Sequence, residues 1–169
     1  MRRIAALTRS PIAIALVALL AVSGCASKKM ANNPADLGLN ANGNNAAPGS
    51  AQDFTLNVGD RIFFDTDSSQ IRADAQGILG KQAQWLGQYP NYAITIEGHA
   101  DERGTREYNI ALGARRAAAA RDFLISRGVQ GNRLRTISYG KEKPVALCDD
   151  GSCQTQNRRA VTVLGGAGS

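Results

Sequence analysis

The chain has 169 residues, of which 43% are hydrophobic and 20% charged, and this length fits one globular domain with additional segments. The formal net charge is +6, but from residue 50 onward fifteen Lys and Arg stand against thirteen Asp and Glu, which leaves only +2. Because the aromatic residues also form no series on which bases could stack, the composition argues against a nucleic-acid partner.

The first element along the chain is a predicted secretory signal over residues 1–24. Three arginines near the N-terminus precede an apolar core at 12–22. That core is too short to cross a bilayer, which takes roughly 20 apolar residues. A cationic region followed by a short apolar core is typical of a cleaved signal rather than of a membrane-spanning helix.

The signal ends in the sequence VSGCAS at 22–27, which resembles the lipobox of bacterial lipoproteins. We therefore predict that Cys25 is lipidated and becomes the mature N-terminus. The alternative is an ordinary signal peptide with a chance cysteine. Ala26 stands where an aspartate would favour the inner membrane in enteric bacteria, and by that resemblance we expect the outer membrane.

The next segment is rich in Asn, Ala, Gly and Pro and contains very few apolar residues. Such a segment cannot bury enough surface to offset the entropy lost on ordering. We predict a lipidated N-terminus and flexible tether over 25–50, with a typical span of roughly 28 Å. The folded domain is then expected over 51–169.

Strand and helix patterns alternate within this domain. A helix is predicted with Ser68 or Ser69 as its N-cap and with its end before Pro90, and a second over 106–126 is ended by Gly128. The order of elements is βαβαββ, which predicts an α+β fold with two helices packed on one mixed sheet. The four predicted strands are 61–64, 92–97, 134–139 and 159–164.

The polar run that leads into the second helix carries the candidate site. On a helical wheel, Arg116 falls in the core-facing stripe with Asn109, whereas Arg115 points about 120° away from it. A buried guanidinium is costly unless an anion pairs with it. Gly113 is expected to leave room for a ligand on this face, and Asp101 supplies a carboxylate at the end of the second strand. This set suits a small zwitterion.

Two other interpretations of these residues remain open. Asp101 and Arg116 could pair with each other and only stabilise the start of the helix. His99 and Asp101 could form a base and its orienting acid, but the run offers no convincing nucleophile, and we expect no enzymatic activity. His99 is then expected to be a residue at the strand end that hydrogen-bonds to the backbone.

Two cysteines, Cys148 and Cys153, stand close together in the long connection over 140–156. In an exported protein such a pair predicts a disulfide, worth about 2 kcal/mol for so short a loop in the chain-entropy model. A metal site would need further ligands, and the chain's one histidine is far away in sequence. We expect no metal.

Several blocks together resemble the OmpA-like family and, within it, the peptidoglycan-associated lipoproteins. Asn109, Leu112 and Arg116 match the wider family, while Gly113 and the His-Ala-Asp start of the polar run match the lipoprotein branch. Ala114 departs from the charged residue often found there, and many relatives lack the two cysteines. The matching blocks are FFDTDSS at 63–69, GHADERGT at 98–105, EYN at 107–109, ALG at 111–113, RRA at 115–117, SYGKEKP at 138–144 and NRRA at 157–160.

The resemblance implies non-covalent binding to the meso-diaminopimelate of peptidoglycan, without a cofactor. It assigns the ligand's ammonium to Asp101 and its carboxylate to Arg116, with Asn109 assisting. The residues that it implies for the rest of the wall are Phe64, Asp65 and Thr66.

The resemblance also implies partners and a location. It implies an outer-membrane lipoprotein that faces the periplasm and binds TolB through a surface overlapping the wall site, with TolA and other outer-membrane proteins as further candidates. Such a protein would act in the Tol-Pal system, in envelope integrity and in constriction at division. The alternative is another OmpA-like lipoprotein that attaches to the wall but does not bind TolB.

Overall fold

The computed structural model describes residues 46–148 and 150–165. The predicted signal, Cys25 and most of the predicted tether lie outside these residues. A π-helical segment, Phe54–Val58, continues the first helix, and a 3-10 turn, Gly131–Arg133, precedes the third strand. The elements are α1 (Ala51–Asp53), β1 (Arg61–Phe63), α2 (Ala73–Gln88), β2 (Ile94–His99), α3 (Arg106–Ser126), β3 (Leu134–Gly140), α4 (Gly151–Asn157) and β4 (Arg159–Leu164).

The four strands form one mixed sheet in the order β1-β4-β2-β3. β2 and β3 run parallel, as expected of strands joined through a helix, and β4 is antiparallel to both of its neighbours. The register between β2 and β3 shifts at Gly98 and His99, at the end of β2. The predicted α+β architecture with a mixed sheet is confirmed.

The hydrophobic core lies between the sheet and the two long helices. Alternate strand residues such as Ile94 and Ile96 are buried together with Leu79 and Leu86 of α2 and Leu124 of α3. One face of the sheet therefore carries both long helices, and the carboxyl end of β2 reaches the start of α3. None of the helices in the described ranges is both long and apolar enough to cross a membrane.

The structure corrects the predicted start of the first long helix. α2 begins at Ala73 with Arg72 at the N-cap position and no side-chain cap. Ser68 instead accepts a hydrogen bond from the Gln70 amide, 3.1 Å away, in a turn that precedes the helix. The carbonyl of Ser68 is held by the Arg116 side chain, which keeps the turn outside the helix.

Two short helices were not predicted from the sequence because each is stabilised by local caps rather than by an apolar periodicity. α4 lies within the connection predicted as a long loop, and the Asp150 carboxylate caps it by accepting from the amides of Ser152 and Cys153. α1 is capped by Ser50, whose hydroxyl accepts from the Asp53 amide.

The last residues of the predicted tether are part of the folded domain. The Gly49 carbonyl accepts a hydrogen bond of 2.7 Å from the Tyr92 hydroxyl, just before β2. Asp53 accepts from the Gly49 amide and from the Trp85 indole at 2.9 and 3.0 Å. The described chain thus enters the domain next to the start of β2.

Candidate ligand-binding site

Two glycines bring α3 directly onto β2. A Cβ on Gly98 would lie 2.6 Å from the Gly113 carbonyl carbon, and a Cβ on Gly113 would lie 2.9 Å from the Gly98 oxygen. The Ser138 hydroxyl fills the remaining space and donates to the Ile110 carbonyl at 2.7 Å. The expectation that Gly113 leaves room for a ligand is therefore wrong, because strand backbone occupies that room.

Arg116 is 0% exposed, as its position on the helical wheel predicts, and Arg115 is exposed. The Arg116 guanidinium donates to three backbone carbonyls, those of Ser68 at 2.8 Å, His99 at 2.8 Å and Asp65 at 3.1 Å. The guanidinium carbon also lies 5.2 Å from the centre of the Phe64 ring. Arg116 thereby fastens the turn after β1 to the end of β2.

Burial lowers the pKa of Arg116 to about 10, because the charged form loses its hydration, and nearby Asp101 opposes that shift. The side chain is thus still cationic at neutral pH. Among the described residues no ion pair joins Arg116 to Asp101, so the alternative in which these two only neutralise each other does not hold.

The Asp101 side chain is instead held by two other arginines. Its Oδ2 accepts from Arg103 Nη2 at 2.6 Å and from Arg158 Nη1 at 3.2 Å. Burial is the largest influence on the pKa of Asp101 and raises it, but the hydrogen bonds and charges of both arginines together hold that pKa below its usual value. Asp101 is ionised at neutral pH although its residue is only 7% exposed.

A cavity of about 310 Å³ opens above this carboxylate. Asn109 is buried at its base and donates from Nδ2 to the Arg103 carbonyl at 2.7 Å. The Tyr108 hydroxyl donates to the Asp67 carboxylate, and both residues line the cavity. The residues lining it are Thr66, Asp67, Asp101, Arg103, Gly104, Tyr108, Asn109 and Leu112.

Three of the six residues predicted to bind the ligand line this cavity, namely Asp101, Asn109 and Thr66. Phe64 is fully buried beside Arg116, and the exposed Asp65 carboxylate pairs with Arg72 at 3.2 Å. These two and Arg116 form the layer next to the cavity rather than its wall. Direct contact of this layer with a ligand stays a prediction.

Sequence reasoning did not single out Arg103, Asp67 or Tyr108 as site residues. Arg103 stands two residues after Asp101, a spacing short enough for both charges to lie at one site. Asp67 adopts a positive φ of 54°, a conformation that aspartate tolerates better than most residues. Tyr108 lies in the first turn of α3, where the helical wheel shows only that it is exposed.

His99 does not make the expected hydrogen bond to the backbone. Its ring is 2% exposed, stacks on Tyr139 with centres 5.6 Å apart, and has no hydrogen-bond partner on either nitrogen. The carboxylate of Glu97 is 3.6 Å from Nε2. Because neither ring nitrogen bonds to Asp101, the His–Asp arrangement of the enzyme alternative is not present.

A disulfide joins Cys148 and Cys153, with Cα atoms 5.7 Å apart. It links the end of the 141–148 connection to α4. Asn157 adds a second link, since its Oδ1 accepts from the amides of Val145 and Ala146 at 2.9 and 3.2 Å. Cys148, Asp150 and Cys153 lie close enough together to hold a metal, but the disulfide uses both sulfurs.

The sheet with its two covering helices and the cavity after β2 define an OmpA-like domain. A family model described as the OmpA family matches residues 63–158. A solved peptidoglycan-associated lipoprotein from Burkholderia pseudomallei is 42% identical with a TM-score of 0.63, covering 66% of this chain and 96% of that one. The C-terminal domain of Helicobacter pylori MotB is 25% identical with a TM-score of 0.60, covering 64% and 86%.

Two curated relatives extend the likeness beyond the domain. A peptidoglycan-associated lipoprotein from Mesorhizobium japonicum is 76% identical over 169 residues, the whole of both chains. One from Rhizobium meliloti is 73% identical over 99% of this chain and 94% of its own length. The chain belongs to the OmpA family and, within it, to the peptidoglycan-associated lipoproteins.

Proposed function

We propose that the domain binds peptidoglycan non-covalently by taking the zwitterionic end of a meso-diaminopimelate side chain into the cavity after β2. One observation carries the proposal. Asp101 is ionised and nearly buried, and both arginines bond to its Oδ2, so that among the described residues Oδ1 accepts no hydrogen bond. An ammonium group of the ligand supplies the donor that Oδ1 lacks.

The carboxylate of the ligand is assigned to the cations of the site. Arg103 lines the cavity with its side chain 48% exposed and is the first cation that the carboxylate meets. Three of the five N–H donors of Arg116 bind backbone carbonyls. Because Arg116 has no exposed surface, the ligand reaches the remaining two donors only if the turn over 65–68 moves.

Sedimentation of the full-length protein with purified sacculi tests this proposal. Asp101→Asn removes the charge that holds the ammonium and is expected to reduce binding at least about tenfold. Asp122→Asn, in the exposed pair with Arg121 on α3, is the matched control and should bind as the wild type does. A soluble stem peptide that contains meso-diaminopimelate should displace the protein, whereas the same peptide with lysine in that place, whose side chain ends in an ammonium without a carboxylate, should not. Equal binding by the two variants would overturn the site.

The remaining parts of the proposal concern location and partner. We propose that Cys25 carries the lipid, that the chain is held in the outer membrane facing the periplasm, and that it acts in the Tol-Pal system with TolB. The support is the resemblance of the lipobox and of the whole chain to relatives named as lipoproteins. Adding TolB to the sedimentation assay tests the partner. Displacement from sacculi supports shared use of the site, whereas failure of TolB to bind favours an OmpA-like lipoprotein without this partner.

A further inference from the structure

A second cavity, of about 380 Å³, adjoins the first. The two share a wall made by the segment 100–104. Ala100 and Glu102 line the second cavity, whereas Asp101, Arg103 and Gly104 line the first. The side chains of alternate residues therefore line different cavities, and the wall between them is a single backbone segment about 5 Å thick.

The second cavity is held open by contacts that involve no ligand. Lys141 Nζ donates to the carbonyls of Glu102 and Gly104 at 3.2 and 2.8 Å and so braces the shared wall. On the opposite side, Asn157 bonds to the backbone of Ala146 through both ends of its amide. A preformed cavity spares a ligand the cost of ordering its site.

The lining indicates the kind of group that fits. Pro144, Ala146 and Leu147 give the cavity an apolar side, and Leu147 is 88% exposed at its edge. Lys141 and Glu102 supply its charges. A small apolar residue suits the first feature, and a carboxylate at its end suits the ammonium of Lys141.

We propose that this cavity is a second subsite for the wall peptide, and that it takes the alanine following the diamino acid, with the terminal carboxylate directed to Lys141. This inference rests on the proposed function of the first cavity. The reach is sufficient, because two extended residues span roughly 7 Å and the shared wall is about 5 Å thick. A stem peptide therefore straddles segment 100–104, with one residue on each side.

Calorimetry on the full-length protein in detergent, with two soluble peptides, tests the subsite. One peptide ends in meso-diaminopimelate and the other carries one further D-alanine. The longer peptide is expected to bind about three- to tenfold more tightly, as burial of one methyl group and its carboxylate allows. Amidation of its terminal carboxylate should remove part of that gain without any change to the protein.

A variant that fills the cavity provides the second arm. Ala146→Phe should abolish the difference between the peptides and keep the affinity for the shorter one. Ala114→Phe, at an exposed position of α3, is the matched control and should retain the difference. Equal affinity of the wild type for both peptides, or loss of the shorter peptide in Ala146→Phe, would overturn the subsite and leave the first cavity standing. Failure of the wild type to bind either peptide overturns the proposed function and this inference together.

Discussion

The buried side chain of Arg116 shows how far the sequence predicts the position and the partners of one residue of this site. The helical wheel places its side chain in the core and separates it from Arg115, and the structure agrees. The wheel cannot supply its partners, because they are backbone carbonyls that every residue possesses. A cation in a helical core stripe predicts a partner of opposite polarity, and only the fold decides whether that partner is a ligand, a carboxylate or the main chain.

The hydrogen bonds of Arg116 to the backbone predict that its substitution has a large effect on stability. Arg116→Met should lower the free energy of unfolding by about 3–5 kcal/mol, because a buried guanidinium is lost and three carbonyls, of which that of His99 is buried, lose their donor. Arg115→Met removes an exposed side chain and should change it by less than about 0.5 kcal/mol. Urea denaturation followed by circular dichroism measures both. A similar cost for the two variants would show that the carbonyl contacts contribute little.

His99 predicts a pH dependence of stability. Burial lowers its pKa to about 4, helped by the charges of Arg159 and Lys143. Glu97, 3.6 Å from Nε2 and with its side chain 23% exposed, would favour the charged ring, but we expect burial and the two cations to outweigh it. The unfolded chain has a histidine pKa of about 6.5, so between this pH and about 4 it binds a proton that the folded state does not.

The free energy of unfolding should therefore fall as pH decreases from about 6.5 to about 4, by up to about 3 kcal/mol. His99→Phe keeps an aromatic ring against Tyr139 and removes the titrating group. The difference in unfolding free energy between this variant and the wild type should grow over that pH range and stay constant above it. A difference that does not depend on pH would contradict the low pKa.

Among the helices and strands, the sequence pattern predicted the bounds of the long elements well and did not predict the short helices. The bounds predicted for α3 and β4 agree with the structure. α3 has defined ends, because the Thr105 side chain caps its start and Gly128, with a φ of 94°, follows its last turn. α2 begins later than predicted because Arg116 holds the preceding turn. α1 and α4 were missed because a few capping hydrogen bonds define them.

The contact between α3 and β2 gives a prediction about glycine. Gly113→Ala should lower the free energy of unfolding by about 1–3 kcal/mol, because its Cβ meets Ser138 and the backbone of Gly98. Gly77→Ala, inside α2, places its Cβ in open space and should raise stability by about 0.5–1 kcal/mol through helix propensity. Thermal melts of the two variants measure these changes in stability. Stabilisation by both substitutions would mean that α3 moves away from β2 without cost.

At the scale of the whole molecule, the sequence was sufficient for the fold class and for the end of the sheet that carries the site. It was not sufficient for the arrangement of charges there. Asp101 was expected opposite Arg116 but bonds to Arg103, two residues along the chain, and to Arg158, 57 residues along it. The pairing with Arg158 depends on which loops meet, and a single sequence does not encode it as a local pattern.

The position of Gly49 has a mechanical consequence. The described chain enters the domain beside Tyr92, before β2 begins, and the ligand cavity lies beyond His99, where β2 ends. In the proposed function the membrane pulls at the first point and the wall resists at the second. Tension then runs along the strands and loads the hydrogen bonds between them in shear, all at once, rather than peeling them apart one by one. A domain attached in this way resists envelope stress through its whole sheet.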